Sequence, residues 1–141
     1  MGKKETFEAL QQAVSESDLE AMRTFLADDF VLHEPPSLPF GGDFFGAEGY
    51  IELGRQIQSF FELEVVSLQQ TEARADMLLL ELVVRFKSRR TGEQLEMDLV
   101  DLYHFDLEGK ISRVNGYYSD PDRIAAIALG RPCPPRASRN E

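Results

Sequence analysis

Residues 77–118 read MLLLELVVRFKSRRTGEQLEMDLVDLYHFDLEGKISRVNGYY, and the fold is decided in this stretch. It contains three runs of apolar and β-branched residues, which two short glycine-containing segments separate. The runs are Met77 to Arg89, Gln94 to Phe105 and Ile111 to Tyr118. Consecutive long strands joined by short turns pair with each other, so this stretch predicts an antiparallel meander.

The first strand of the meander indicates which face of the sheet is buried. Side chains alternate between the two faces of a strand, and one face of this strand is wholly apolar. That face carries Leu78, Leu80, Leu82, Val84 and Phe86. The opposite face mixes the apolar Met77, Leu79 and Val83 with the charged Glu81, Arg85 and Lys87. We expect the first face to pack on helices and the second to meet a partner subunit in a homodimer.

Helical periodicity predicts three helices ahead of the meander. Phe7, Leu10 and Val14 recur at helical spacing, and the S-x-x-E pattern of residues 17–20 predicts a capped second helix. Residues 50–61 predict a third, amphipathic helix. The shorter predicted elements are strands at 30–34 and 63–70 and a helix at 124–129. Helices first and strands afterwards favour a single α+β domain.

The domain is expected to span residues 1–130, with a flexible tail at 131–141 that is rich in proline and polar residues. The formal net charge of −10 repels nucleic acid and anionic lipid, so neither is an expected partner. The single cysteine, Cys133, allows no intrachain disulfide. No stretch approaches the ~20 apolar residues of a membrane span, so we expect a cytoplasmic protein.

Asp101 interrupts an otherwise apolar strand face that includes Leu99 and Tyr103. A carboxylate in such a position must be paired, protonated or next to a cavity. Loss of water raises the pKa of a carboxyl, and a neutral carboxylic acid can donate a hydrogen bond to developing negative charge. The alternative is a structural aspartate bonded to loop amides or to the Tyr117 or Tyr118 hydroxyl.

Glu34 ends the strand face formed by Phe30 and Leu32, immediately before the loop of residues 35–46. A general base needs such a position, within reach of a substrate yet partly dry. The alternative is a strand-end glutamate in solvent. The loop sequence, PPSLPFGGDFFG, is too apolar for a solvated connector and is expected to gate a pocket. The residues of this strand and loop, and of the later strands, that are expected to line the pocket are Phe30, Leu32, Phe40, Phe44, Phe45, Tyr103 and Tyr118.

The remaining polar motifs predict neither a metal site nor a cofactor site. His33 and His104 point away from Glu34 and Asp101 by strand alternation, so these four residues do not converge on a metal ion. The sequence contains no Ser-His-Asp arrangement, no phosphate-binding loop and no dinucleotide fingerprint. We therefore expect any chemistry to be free of cofactors.

Three segments resemble the SnoaL-like and ketosteroid isomerase-like branch of the nuclear transport factor 2-like superfamily. They are SDLEAMRTFLADDFVLHEPPSLPFGG at 17–42, GAEGYI at 46–51 and LVDLYHFDLEGKISRVNGYYSD at 99–120. The resemblance implies the cystatin-like fold: a cone-shaped α+β barrel with three N-terminal helices packed on a curved antiparallel sheet. It also implies a conical pocket for a small, largely apolar organic ligand, commonly in a homodimer.

The resemblance implies roles for individual residues. Glu34 falls where ketosteroid isomerases keep their carboxylate base, and Asp101 falls where they keep the acid that donates to the oxyanion. Leu10, expected in the pocket, replaces the tyrosine of their oxyanion hole. These positions indicate a cofactor-free isomerase or cyclase acting on a cyclic molecule. A non-catalytic ligand-binding or dimerisation module of the same fold is the alternative.

Overall fold

The computed structural model describes residues 1–133 and shows a mixed α+β fold. Its helices are α1 (Lys3–Ser15), α2 (Leu19–Phe25), α3 (Gly46–Phe60) and α4 (Pro121–Leu129). Its strands are β1 (Leu26–Glu34), β2 (Gly42–Phe45), β3 (Phe61–Arg74), β4 (Met77–Ser88), β5 (Gln94–Phe105) and β6 (Ile111–Tyr118). The predicted fold class is confirmed. The division at residue 130 stays a prediction, and most of the expected tail lies outside the described residues.

All six strands form one curved sheet in the order β2-β1-β6-β5-β4-β3. The antiparallel meander from β3 to β6 is confirmed, but β1 pairs with β6 in parallel, so the sheet is mixed. The sheet is also open, which corrects the expectation of a barrel. Helix α3 follows β2 and precedes β3 directly, so it joins the two edge strands of the open sheet, and it packs on β1.

Irregular pairing bends the sheet around the helices. The register shifts between Leu26 and Val31 where β1 meets β6, and between Val65 and Ser67 where β3 meets β4. An extra residue in one strand bends that strand and increases its local twist. These irregularities produce a concave side, on which the helices pack.

The apolar face predicted for β4 forms the centre of the core. Leu78, Leu80, Val84 and Phe86 are all buried, and Leu82 is half-buried. The opposite face of β4 is half-buried to exposed from Leu79 to Lys87, whereas Met77 is buried.

Helix α4 ends at Gly130, whose φ of 69° is left-handed. The Ser88 hydroxyl, at the end of β4, donates to the Ile127 carbonyl of this helix over 2.6 Å.

Two local expectations differ from the structure. Helix α2 is capped by Asp18, which accepts from the Ala21 amide, and not by Ser17, whose φ of 52° turns the chain out of α1. The segment 35–46, expected to be a loop, contains strand β2, because residues 42–45 pair with β1.

Phe40, expected to gate a pocket, is fully buried and packs on the rings of Phe60, Phe61 and Tyr118. Phe45, five residues later, is 67% exposed. We expect Phe40→Ala to lower the free energy of unfolding by about 3 kcal/mol, because it leaves a cavity among three rings. Phe45→Ala, its matched control, should cost less than about 1 kcal/mol. Urea denaturation measures both, and equal costs would contradict this account of the loop.

Candidate functional site

Glu34 and Asp101 lie on either side of Gly116, on the concave side of the sheet. Asp101 pairs directly with Gly116 in the β5–β6 register, and the parallel β1–β6 pairing brings Glu34 to the other side of this glycine. A Cβ atom added to Gly116 would lie 2.8 Å from Glu34 Oε1 and 3.3 Å from Asp101 Oδ1. The missing side chain at Gly116 therefore lets both carboxyl groups occupy the same small space.

A cavity of about 440 Å³ has these two carboxyl groups in its wall. Strands β1, β5 and β6 form one side of it, and α3 with the α1–α2 turn forms the other. Most lining side chains are apolar, and the charged ones are Glu34, Asp101 and Arg55. Arg55 is exposed and pairs with Glu52. Glu34 Oε2 is buried without a hydrogen-bond partner in residues 1–133, so this oxygen is available to a ligand.

A chain of hydrogen bonds between side chains borders the same cavity. The Gln11 amide donates to the Tyr50 hydroxyl over 2.9 Å, and the hydroxyls of Tyr50 and Tyr103 are 2.9 Å apart. Tyr50 and Tyr103 both line the cavity. Either hydroxyl of the Tyr50–Tyr103 pair can be the donor, and when Tyr50 donates, the Tyr103 proton can point at a ligand.

Burial raises the pKa of both carboxyl groups. The pKa of Glu34 is raised to about 8, mainly by burial and then by the nearby charge of Asp101, and the Tyr118 hydroxyl offsets part of the rise. Burial raises the pKa of Asp101 to about 7. Two neighbouring acids of this kind titrate as a pair. Between these two values the pair holds about one proton, so one group can accept a proton while the other donates a hydrogen bond.

The phenols around the carboxyl groups stay neutral. Burial raises the pKa of Tyr50, Tyr103 and Tyr118 above the ordinary value for tyrosine. Nearby carboxylates add to the rise for all three, because negative charge opposes ionisation of a phenol. These hydroxyls are therefore hydrogen-bond donors at neutral pH.

The structure brings only some of the predicted pocket residues to the cavity. Leu32, Tyr103 and Tyr118 line it together with Glu34 and Asp101. The residues predicted to line the pocket that are absent from its wall are Leu10, Phe30, Phe40, Phe44 and Phe45.

Those five residues lie elsewhere for two physical reasons. Leu10, Phe30 and Phe40 are fully buried core residues, and the Phe30 ring stacks behind Tyr50 with centroids 6.0 Å apart. Strand β2 orients the other two rings. Phe44 pairs with Leu32 and is half-buried, whereas Phe45 pairs with Val31 and therefore faces the outer side of the sheet.

Sequence reasoning missed Gly116 and Tyr50 as parts of the site. Tyr50 follows the helical pattern of a core residue, and the pattern alone does not distinguish packing from lining a cavity. Gly116 carries no side chain, and its importance follows from the parallel pairing of β1 with β6. A glycine inside a predicted strand marks a close approach of other groups, and this was the available signal.

The two histidines lie away from the site. His33 pairs with Asp43 on the outer side of the sheet, and the pKa of His104 is lowered by partial burial and then by nearby Arg113. Within residues 1–133, no group of three or more His, Cys, Asp or Glu side chains is arranged to hold a metal ion. Across the same residues, no helix is both long and apolar enough to cross a membrane.

Residues 7–114 match the SnoaL-like domain. The chain belongs to this family. The match includes Glu34, Tyr50, Asp101 and Tyr103 and stops two residues before Gly116. No curated protein matches the sequence.

Solved structures show the same fold at low sequence identity. An NTF2-like protein of Burkholderia xenovorans LB400 is 15% identical, with a TM-score of 0.73 over 83% of this chain and 88% of that chain. TerC, co-crystallised with polyporic acid, is 17% identical, with a TM-score of 0.67 over 83% and 91%. A proposed polyketide cyclase of Xanthomonas campestris pv. campestris is 19% identical, with a TM-score of 0.67 over 89% and 96%. These similarities establish a nuclear transport factor 2-like fold.

The buried carboxyl groups should make the stability of this SnoaL-like protein depend on pH. Their raised pKa values mean that the folded state binds protons more tightly than the unfolded state between the ordinary glutamate pKa of 4.5 and the raised value of about 8. The contribution of each carboxyl to stability is thus full below its unfolded pKa and is lost as the pH rises through its folded pKa.

We expect Glu34→Gln to flatten the fall in unfolding free energy between about pH 5 and about pH 8, because it removes the stronger of the two titrations. Urea denaturation across this range measures the slope. Glu108→Gln, in the exposed β5–β6 turn, is the control and should leave the slope unchanged. A Glu34→Gln slope equal to that of the wild type would show that Glu34 is ionised in the folded protein.

Proposed function

We propose that this SnoaL-like protein binds a small, largely apolar cyclic molecule in the cavity and catalyses a cofactor-free isomerisation or cyclisation of it. The observation that carries the proposal is the buried Oε2 of Glu34, which has no hydrogen-bond partner within residues 1–133 and belongs to a side chain that lines the cavity together with Asp101. A buried polar atom without a partner is costly to the fold, so its persistence in a cavity indicates a ligand. The apolar walls favour a hydrocarbon ring, and the polar end favours a carbonyl group.

Because Glu34 and Asp101 share about one proton, one of them can act as an acid while the other acts as a base. In the free pair the higher pKa of Glu34 places the shared proton on Glu34. A substrate carbonyl that accepts a hydrogen bond from Asp101 draws this proton to Asp101, which leaves Glu34 ionised. Glu34 then removes a proton from the carbon next to the carbonyl, and the electrons of that C–H bond form an enolate. In an isomerisation, Glu34 returns the proton to another carbon. In a cyclisation, the enolate carbon attacks a second carbonyl of the same molecule, the π electrons of that carbonyl move to its oxygen, and Glu34 gives its proton to the resulting alkoxide.

Ketosteroid isomerases have an oxyanion-hole tyrosine where this chain has Leu10, and here Tyr103 supplies a phenol instead. The oxyanion of an enolate needs preorganised donors, and Asp101 and Tyr103 lie two residues apart on the same face of β5. Tyr50 and Gln11 orient the Tyr103 hydroxyl from behind. The oxyanion site therefore has a phenol and a carboxylic acid on one strand, with no contribution from α1 beyond Gln11.

The similar structures agree with this class of ligand. TerC was co-crystallised with polyporic acid, and the Xanthomonas protein is a proposed polyketide cyclase. Both similarities establish the fold alone. The support they add is that a protein of this fold has been co-crystallised with an organic molecule.

Substitution of Glu34 separates catalysis from binding. A panel of small cyclic ketones and related lactones is tested for ligand-induced NMR shifts and for exchange of α-protons with deuterium from solvent. Glu34→Gln should lower the exchange rate about 10²–10⁴-fold, because the amide cannot accept a proton. It should change affinity by less than about threefold, because the amide keeps the shape of the carboxyl.

Two further variants test the acid and the phenol. Asp101→Asn and Tyr103→Phe should each slow exchange while their affinities stay near that of the wild type, and the wild-type rate should be highest between about pH 7 and about pH 8. Binding with no exchange at any pH would leave a non-catalytic ligand-binding module. Absence of both binding and exchange would overturn the proposal.

We further propose that the protein is a homodimer that pairs through an outer patch of the sheet. This patch consists of Leu79, Val83, Val100, Leu102 and Tyr117. Leu79 and Leu102 are direct cross-strand partners, as are Val100 and Tyr117, so the apolar side chains are contiguous. Tyr117 is 52% exposed in the single chain. A contiguous apolar patch on one sheet face fits a partner sheet, and a stable interface buries about 1,600 Å² in total.

A charge in the outer patch should separate the subunits. Leu102→Glu should convert a dimer into a monomer at micromolar concentration, because it buries an unpaired carboxylate in the interface. Light scattering measures the mass. Leu107→Glu, in the fully exposed β5–β6 turn, is the matched control and should remain a dimer. A monomeric wild-type protein, or a dimeric Leu102→Glu variant, would contradict the outer patch as the interface.

A further inference from the structure

The cavity opens at a place that the sequence did not indicate. Three of its lining residues are exposed: Ser17 in the α1–α2 turn, and Arg55 and Gln58 on α3. The opposite part of the wall carries the buried Tyr103 and the carboxyl groups. The entrance therefore lies between the α1–α2 turn and the middle of α3. No residue of the loop 35–46, expected to be the gate, borders this cavity.

The missing side chain of Gly54 leaves open space in the wall of that entrance. Tyr50, Gly54 and Gln58 occupy successive turns of α3 and all line the cavity. A Cβ atom added to Gly54 would meet no other atom of residues 1–133 within 4 Å. Gly54 lies in the interior of a regular helix, where glycine is less stable than alanine. Neither its backbone conformation nor its packing within residues 1–133 requires glycine, and the space in front of it is open.

We propose that Gly54 determines the width of the entrance and thereby admits ligands of two or more fused rings. This inference rests on the proposed function and names the shape of the ligand. Val14, Ile51 and Ile57 give the passage apolar walls that suit the flat faces of fused rings. An oxygen at the leading edge of such a ligand would meet Asp101 and Tyr103. Gly54 is a specificity-determining residue in this scheme, and it takes no part in the chemistry.

Two phenolic probes of different width test the inference by fluorescence or NMR titration. Phenol has one ring and 2-naphthol has two fused rings. The wild type should bind both. Gly54→Ala should weaken 2-naphthol binding about three- to tenfold and leave phenol binding unchanged, while Tm rises by about 2–5 °C because alanine favours the helix. Gly54→Leu should abolish 2-naphthol binding. If Gly54 had only a structural role, Gly54→Ala would not raise Tm and at the same time weaken 2-naphthol binding.

Ser59 provides the matched controls, since it is exposed on the same helix and does not line the cavity. Ser59→Ala and Ser59→Leu should leave the binding of both probes unchanged. Equal 2-naphthol affinity in the wild type and both Gly54 variants would overturn the role of Gly54 and leave the proposed function intact. Failure of the wild type to bind either probe would overturn both proposals.

Discussion

The site depends on one constraint, the close approach of two carboxyl groups across the bare backbone of Gly116. A side chain at this position would displace the Glu34 carboxyl group from its place beside Asp101. Burial of both acids raises their pKa values. Burying an ionised carboxylate costs free energy, and the fold tolerates this cost only because a proton can neutralise the charge. A fold that accepts this arrangement gives up stability at neutral pH. In return it holds two carboxyl groups side by side in a mostly apolar cavity.

The open sheet is what makes room for that cavity. A closed barrel of this size would fill its interior with side chains, whereas here α3 joins the two edge strands, β2 and β3, of the open sheet. One helix therefore has three tasks. Its buried residues complete the core, Tyr50 orients the phenol of Tyr103, and Gly54 leaves the passage open. The bends in β1 and β3 give the sheet the curvature that this helix needs.

Several elements were predictable from the sequence because their signals are local. The alternation in β4 marked its buried face, and the apolar context of Asp101 marked an unusual carboxyl. Proline and glycine marked the ends of elements. The aromatic residues of the loop 35–46 were harder to place, because a ring in a glycine-rich loop can pack inward or cover a pocket. Phe40 entered the core, and Phe45 was turned outward by its pairing with Val31.

The sequence by itself determined the α+β order, the meander, the buried face of β4, and Glu34 and Asp101 as candidate residues. Each of these follows from the chemistry of neighbouring residues or from a period of two or 3.6 along the chain. Only the tertiary structure decided that the sheet stays open, that Gly116 separates the two acids, and that the entrance lies beside Gly54. These features depend on contacts between strands and helices that are far apart in sequence, and local sequence patterns do not predict such contacts.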